Sequence, residues 1–141
     1  MSLYGFPKEE HLCGKNNFQL LFKEGRAYYH AASLKLMCLH MPAPALEVHA
    51  GMVVPKKVFR HAADRNRVKR LLREAYRLRK PDFHAAIGRI PCAWQLLFVY
   101  TGRELPTFWQ VQNGVNALLT SVQKKYLAEA DKKNGVDGTK V

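Results

Sequence analysis

The stretch DRNRVKRLLREAYRLRK, Asp64 to Lys80, carries eight Arg or Lys residues and one internal Glu after its leading Asp. Drawn as a helix at about 100° per residue, with Val68 at zero, it separates into two faces. Leu71, Leu72, Ala75, Tyr76 and Leu78 fall within about 80° of Val68 and form the side that packs. Asn66, Lys69, Arg70, Arg73, Arg77 and Lys80 fall between about 100° and 200° and form a basic stripe that contains no carboxylate. Glu74 stands to one side near about 240°, within reach of Arg67, Arg70 or Arg77. The pattern predicts a helix from about Ala62 to Lys80, ended by Pro81.

A helix that is merely solvated mixes acids with bases at i, i+4, because like charges so spaced repel by about a few tenths of a kcal/mol per pair. Here the repulsion is left uncompensated. Most of the bases between Arg65 and Arg73 are arginine, whose planar fork binds phosphate oxygens in pairs and stacks on bases. The chain's net charge is +12, from 23 Lys/Arg against 11 Asp/Glu, and residues 56–80 hold eleven of those bases against only Asp64 and Glu74. One segment thus supplies nine of the twelve net charges, the distribution that binding to a polyanion requires. Composition and geometry favour a nucleic-acid face over a solvated or acidic-protein-binding one. RNA is favoured over DNA, because no helix-turn-helix, paired zinc ligands or heptad repeat accompanies the basic helix.

The remaining sequence frames that helix. In KNNFQLLFKE, Phe18, Leu21 and Phe22 fall at i, i+3, i+4 and Gly25 follows, so a first helix is expected over Lys15–Glu24. SLKLMCLHM (33–41) and EVHAGMVV (47–54) read as strands, separated by the breaker PAPAL and expected to pair as a hairpin. AWQLLFVYT (93–101) is a third strand, apolar on both faces. Thr107 caps a last helix with Val111, Val115, Leu118, Leu119, Val122 and Tyr126 on one side. Tyr28 and Tyr29 are assigned to a loop. The expected class is α+β, ordered helix-strand-strand-helix-strand-helix, as one domain over residues 1–129 with a disordered polar tail over 130–141. Cys13, Cys38 and Cys92 form no CxxC and point to a reducing compartment. No signal peptide or membrane span is expected. The six histidines show no metal-ligand spacing, and nothing in the sequence forms a catalytic acid pair or a nucleophile with its base.

PKKVFRHAADRNRVKRLLREAYR, from Pro55 to Arg77, strongly resembles the signature of the bacterial ribonuclease P protein subunit. The elements matched are a basic pair after the second strand, then Arg65-Asn66-Arg67, Lys69-Arg70, Arg73-Glu74 and Ala75-Tyr76-Arg77. The resemblance extends upstream to Asn17-Phe18-Gln19, Phe22 and Gly25. It implies the family's ribosomal-protein-like α+β fold, with a left-handed β-α-β crossover around the basic helix. It also implies a function: the protein joins a catalytic RNA, and the complex removes the 5′ leader of precursor tRNA in the cytoplasm. In the family the RNA holds Mg²⁺ and performs hydrolysis, so no catalytic residue and no metal ligand is assigned to this chain, and no protein partner or membrane. Arg65, Asn66, Arg67, Lys69, Arg70, Arg73 and Arg77 are expected against the catalytic RNA. Phe18, Phe22, Leu36, Val53, Lys56 and Lys57 are expected along the leader. The plainer readings are core packing for the two phenylalanines and an exposed loop for the two lysines; Tyr28 and Tyr29 are candidates for an aromatic near the leader, with loop packing as their plainer reading. Two other functions are weighed beside this one: a structural rRNA-binding ribosomal protein, and a DNA-binding regulator.

Overall fold

The structure is a computed structural model that describes residues 10–11, 15–30 and 33–133, with backbone alone for 15–18 and 131–133. The elements run α1 (Lys15–Glu24), β1 (Arg26–His30), β2 (Leu34–Pro42), β3 (Glu47–Val53), α2 (Ala62–Ile87), β4 (Cys92–Tyr100) and α3 (Phe108–Lys133). The strands form one sheet in the order β1-β2-β4-β3. β4 is antiparallel to β2 and parallel to β3, with α2 as the crossover between the two parallel strands.

Two sequence expectations about the sheet are corrected. β2 and β3 do not form a hairpin, because β4 lies between them. Its side chains at Trp94, Leu96 and Phe98 on one face and Leu97 on the other are all buried, which places it in the centre with a partner on each edge. The four residues from 43 to 46 bridge two strand spacings, about 10 Å, within the reach of a short extended chain. The second correction is β1, whose RAYYH segment pairs antiparallel with β2 instead of forming a loop.

The faces of the sheet are packed unequally. On one, Leu34, Leu36 and Cys38 of β2 join Val48 and Ala50 of β3 and the Trp94/Leu96/Phe98 row of β4, beneath α2 and α3. On the other, Leu21 of α1 is buried over Met37 and Leu97, with Leu39, Val53 and Val99 half-buried around it. α1 ends at Gly25, whose N–H donates to the Leu21 carbonyl at 2.7 Å. A Cβ there would run into that same carbonyl oxygen, so the tight turn into β1 needs glycine.

α2 departs from expectation twice. It continues through Pro81 to Ile87. An interior proline costs about 3 kcal/mol, but continuation fully buries Phe83 and Ile87, each burial contributing roughly 1.5–3 kcal/mol. The helix is also rolled. Val68, Leu72, Ala75, Tyr76 and Phe83 are buried, and on the helical wheel they centre about 40° from Val68 toward Tyr76. Leu78 is left 37% exposed and Lys80 is drawn to 5%. The Lys80 ammonium meets the Glu10 carboxylate at 2.5 Å, so its charge is compensated inside the fold rather than displayed on the stripe. The neighbouring His11 makes a parallel bridge to Ala50 on β3.

α3 opens with reciprocal capping. The Gln110 N–H donates to Thr107 Oγ1 at 3.2 Å, and the Thr107 N–H donates to Gln110 Oε1 at 2.9 Å. All six apolar residues assigned to its packing side are buried. The helix includes Ala130 and ends at Lys133, so the first part of the supposed tail is helical. Residues 134–141 lie outside the described residues.

Candidate nucleic-acid interface

Burying Val68, Leu72 and Tyr76 against the sheet forces the opposite side of α2 outward. Asn66, Arg67, Arg70 and Arg73 are exposed there and Lys69 is half-buried. Among the described residues, Arg67, Arg70 and Arg73 have no ion-pair partner. Their charge is therefore available to an external anion.

Two other arginines of the predicted set are engaged. Arg77 donates from Nε to Glu74 Oε1 at 3.0 Å and from Nη2 to Oε2 at 2.6 Å. The hydrogen bond from Arg77 holds the Glu74 carboxyl below the usual carboxylate range and raises the guanidinium in turn. Arg65 donates from Nη1 to the carbonyls of Phe59 at 2.7 Å and Arg60 at 3.0 Å. It fastens the loop before α2 and is only half-buried, so it serves the loop at least as directly as a ligand. Arg79 faces α3, where Nη2 donates to Gln123 Oε1 at 2.6 Å. Its pKa is lowered by burial.

A second surface lies on the α1 side of the sheet. α1 leans chiefly on β2, which leaves Val53 and Val99 half-buried at the β3 and β4 positions. Phe22 projects from α1 at 56% exposure, so it is not a core residue. Phe18 lies one turn earlier on α1, but its side chain is outside the described residues. Lys56 and Lys57 are exposed in the turn after β3, where the Val58 N–H donates to the Pro55 carbonyl at 3.1 Å. That turn leads into the loop held by Arg65, so the two basic surfaces meet at the start of α2.

Leu36 is a correction. It is fully buried on the opposite face, under α2 and α3, so it cannot touch a ligand on the α1 side. Strand side chains alternate, and the residues of β2 on the α1 side are Lys35, Met37 and Leu39. The signal was in the sequence, since Lys35 within SLKLMCLHM marks the half of the alternation nearer water. Tyr29, whose plainer reading is loop packing, is instead a surface residue of β1, 70% exposed.

Among the described residues neither an activated thiol nor a metal-binding cluster accompanies these surfaces. Burial pushes the Cys38 thiol up to about 12, so it stays protonated. Among the described residues no group of three or more His, Cys, Asp or Glu is placed to hold a metal ion. Near the stripe the carboxylates are Asp64 and Glu74, and Glu74 commits both oxygens to Arg77. These residues do not fit a Mg²⁺ site, which asks for clustered oxygen donors. Among the described residues no helix is long and apolar enough to cross a membrane.

Residues 6–123 match the family model described as Ribonuclease P. The ribonuclease P protein component of Porphyromonas gingivalis is 31% identical over 119 residues, covering 84% of this chain and 87% of that one. That of Geotalea uraniireducens is 38% identical over 108 residues, covering 74% and 92%. The Dictyoglomus thermophilum protein component is 41% identical over 81 residues, and the match spans 57% of this chain and 64% of its own length. Among solved structures, the RNase P protein of Thermotoga maritima superposes with a TM-score of 0.62 at 25% identity, over 79% of this chain and 96% of that one. The Staphylococcus aureus protein gives 0.64 at 20% identity, over 80% and 94%. These matches support the ribonuclease P reading over the ribosomal alternative.

Proposed function

Because the chain belongs to the ribonuclease P protein family, we propose that it binds two RNAs with two separate surfaces and so promotes removal of the 5′ leader from precursor tRNA. The exposed side of α2 takes the catalytic RNA. The α1 side of the sheet, with Phe22, Val53, Lys56 and Lys57, takes the unpaired leader, with Phe18 on the same helix. The observation that carries this reading is the set of arginines Arg67, Arg70 and Arg73, exposed on one helical face with no ion-pair partner among the described residues, apart from the exposed Phe22 and the lysine turn.

The division of labour follows from physical chemistry. Arginines lined along a helix neutralise phosphates and release counterions, which lowers the repulsion within a folded RNA. A flat aromatic ring beside a lysine turn suits a single strand, because every base offers a face for stacking and every nucleotide a phosphate. Mg²⁺ and the hydrolytic step belong to the RNA in this reading, and the complex works in the cytoplasm. The protein contributes placement: it holds the leader on one side while its helix holds the catalyst on another.

The test is reconstitution with the cognate RNA. The protein alone should not cut precursor tRNA, and adding it to the RNA should restore cleavage at low Mg²⁺. Arg70→Ala should weaken assembly. Phe22→Leu should lower affinity for precursor tRNA by about fivefold, with mature tRNA and assembly unaffected. Cleavage at the 5′ junction by RNA-free protein, or a Phe22→Leu loss equal for precursor and mature tRNA, would overturn the assignment.

A further inference from the structure

The segments that lead into α2 and α3 lie at one end of the sheet. β3 and β4 are parallel, so the chain leaves both at the same end, by residues 54–61 after β3 and 101–107 after β4. The Phe59 ring stacks with Tyr100 at 6.0 Å. Arg65 donates to the Phe59 carbonyl at 2.7 Å and Tyr100 Oη to the Glu104 carbonyl at 2.6 Å, so the two loops are tied together. From this shared start α2 and α3 run the same way: Arg79 bonds Thr120 and Gln123, and the Ile90 carbonyl, just past α2, accepts from Tyr126. Trp109 is eleven residues before Thr120 and within about 20° of it around the helix, and Arg67 is twelve before Arg79. The two therefore stand at about the same height on neighbouring helices. Around α2, Lys80 marks the flank toward Glu10 and β3, and Arg79 the flank toward α3. Arg67 lies on the α3 flank, about 60° from Arg70.

Trp109 is 70% exposed, although the turn that carries it is fixed. Thr107 and Gln110 cap that turn reciprocally, and Phe108, packed against the core, meets the Trp109 ring edge-on at 6.0 Å. A large ring is thus held out rigidly on the α3 flank of the basic helix, where it adds little to the core. We propose that Trp109 is an aromatic anchor for the catalytic RNA, stacking on an unpaired base whose neighbouring phosphate Arg67 holds. The proposal rests on α2 facing that RNA, as argued above. Two features favour RNA over a protein as the occupant. Residues 55–67 and 101–109, which lead into the two helices, carry six Lys or Arg against Asp64 and Glu104, an excess of four positive charges. The exposed apolar residue nearest Trp109 in the chain is Leu105, at 43%. That is a poor apolar surround for a protein contact, whereas a base needs one flat ring and a cation beside it. The interface with the catalytic RNA therefore extends from α2 onto the first turn of α3, where stacking adds a contribution that salt does not screen.

The experiment measures equilibrium binding of each variant to the catalytic RNA at several salt concentrations, together with acrylamide quenching of tryptophan emission in the free and assembled wild-type protein. Trp94 is 1% exposed, so the quenchable emission reports Trp109, and assembly should shield it. Trp109→Ala should weaken assembly by about tenfold, and by the same factor at every salt concentration, because a stacked ring releases no counterion. Trp109→Phe keeps a flat ring and should retain most of the affinity, and urea unfolding of both variants should match wild type. Arg70→Ala runs beside them as the check on the α2 face. If Arg70→Ala weakens assembly while Trp109→Ala binds as wild type and Trp109 stays quenchable in the complex, the anchor is overturned and the α2 face stands. If neither variant weakens assembly, both fall. A Trp109→Ala loss confined to tRNA binding, or one that fades with salt as the loss of a cation does, also overturns the anchor.

Discussion

Arg70→Ala removes one exposed cation that has no ion-pair partner among the described residues, and its effect on RNA binding can be sized. Each phosphate neutralised on a duplex adds about 0.9 to the slope of log affinity against log salt. If Arg70 occupies one phosphate, the variant's slope is shallower by about 0.9, and a fourfold rise in salt narrows its gap to wild type by about 3.5-fold. Arg73→Ala should behave alike. Arg77→Ala is the internal comparison, because its guanidinium is already held at 2.6 Å by Glu74 and should change the slope much less. Arg65→Ala should instead lower stability, by about 1 kcal/mol, since it loses the hydrogen bonds that fasten Phe59 and Arg60 ahead of α2. The assay is equilibrium binding to the catalytic RNA at several salt concentrations, with urea unfolding of each variant. The reasoning fails if Arg70→Ala and Arg73→Ala keep the wild-type slope, or if Arg77→Ala matches them.

Glu10→Gln removes the carboxylate charge that faces the buried Lys80 ammonium and should destabilise the protein by up to about 3 kcal/mol. Lys80→Met, which removes the charge itself, should cost less, and urea unfolding that ranks them in reverse would refute the pairing. Burial, then the nearby Lys80 charge, lowers the pKa of His84, while Glu10 opposes them. The unfolded chain therefore takes up that proton first, so the contribution of His84 is full above about 6.5 and falls as pH drops toward the lower folded value. Stability curves should lose part of this acid limb in His84→Gln, and a variant with the wild-type pH dependence would exclude His84 as its source.

How much of this was legible in sequence can be traced residue by residue. The α2 stripe was readable because charge and apolar residues there obey one period over several turns, and Asn66, Arg70 and Arg73 of that stripe do face outward. Lys80 was misplaced because the wheel was centred on Val68, whereas Tyr76 and Phe83 pull the buried side around. Pro81 looked like a terminus because local propensity is blind to the burial of Phe83 and Ile87 beyond it. β1 was overlooked because RAYYH is short and mostly exposed, so its existence depends on pairing with β2 rather than on its own pattern. The same non-locality hid the strand order, since no segment's composition states which neighbour it will choose. Leu36 was an error of parity: a strand residue one step from the right face is on the wrong one.

The central position of β4 constrains how the protein can be made. The strand that joins β2 to β3 is the last of the four in the chain, so the sheet has no middle until residues 92–100 have been synthesised. A nascent chain that ends before them already contains α2, with its arginines, but lacks the Trp94, Leu96 and Phe98 surface against which that helix packs. Domains fold as units, and distant pairings wait for the loop between them to close. During that interval the cationic segment is displayed by an unfinished fold, beside the ribosome's own RNA. The same topology that gives the mature protein its crossover thus makes the arrival of one nine-residue strand, with α3 after it, the step that turns an unsupported polycation into a seated helix.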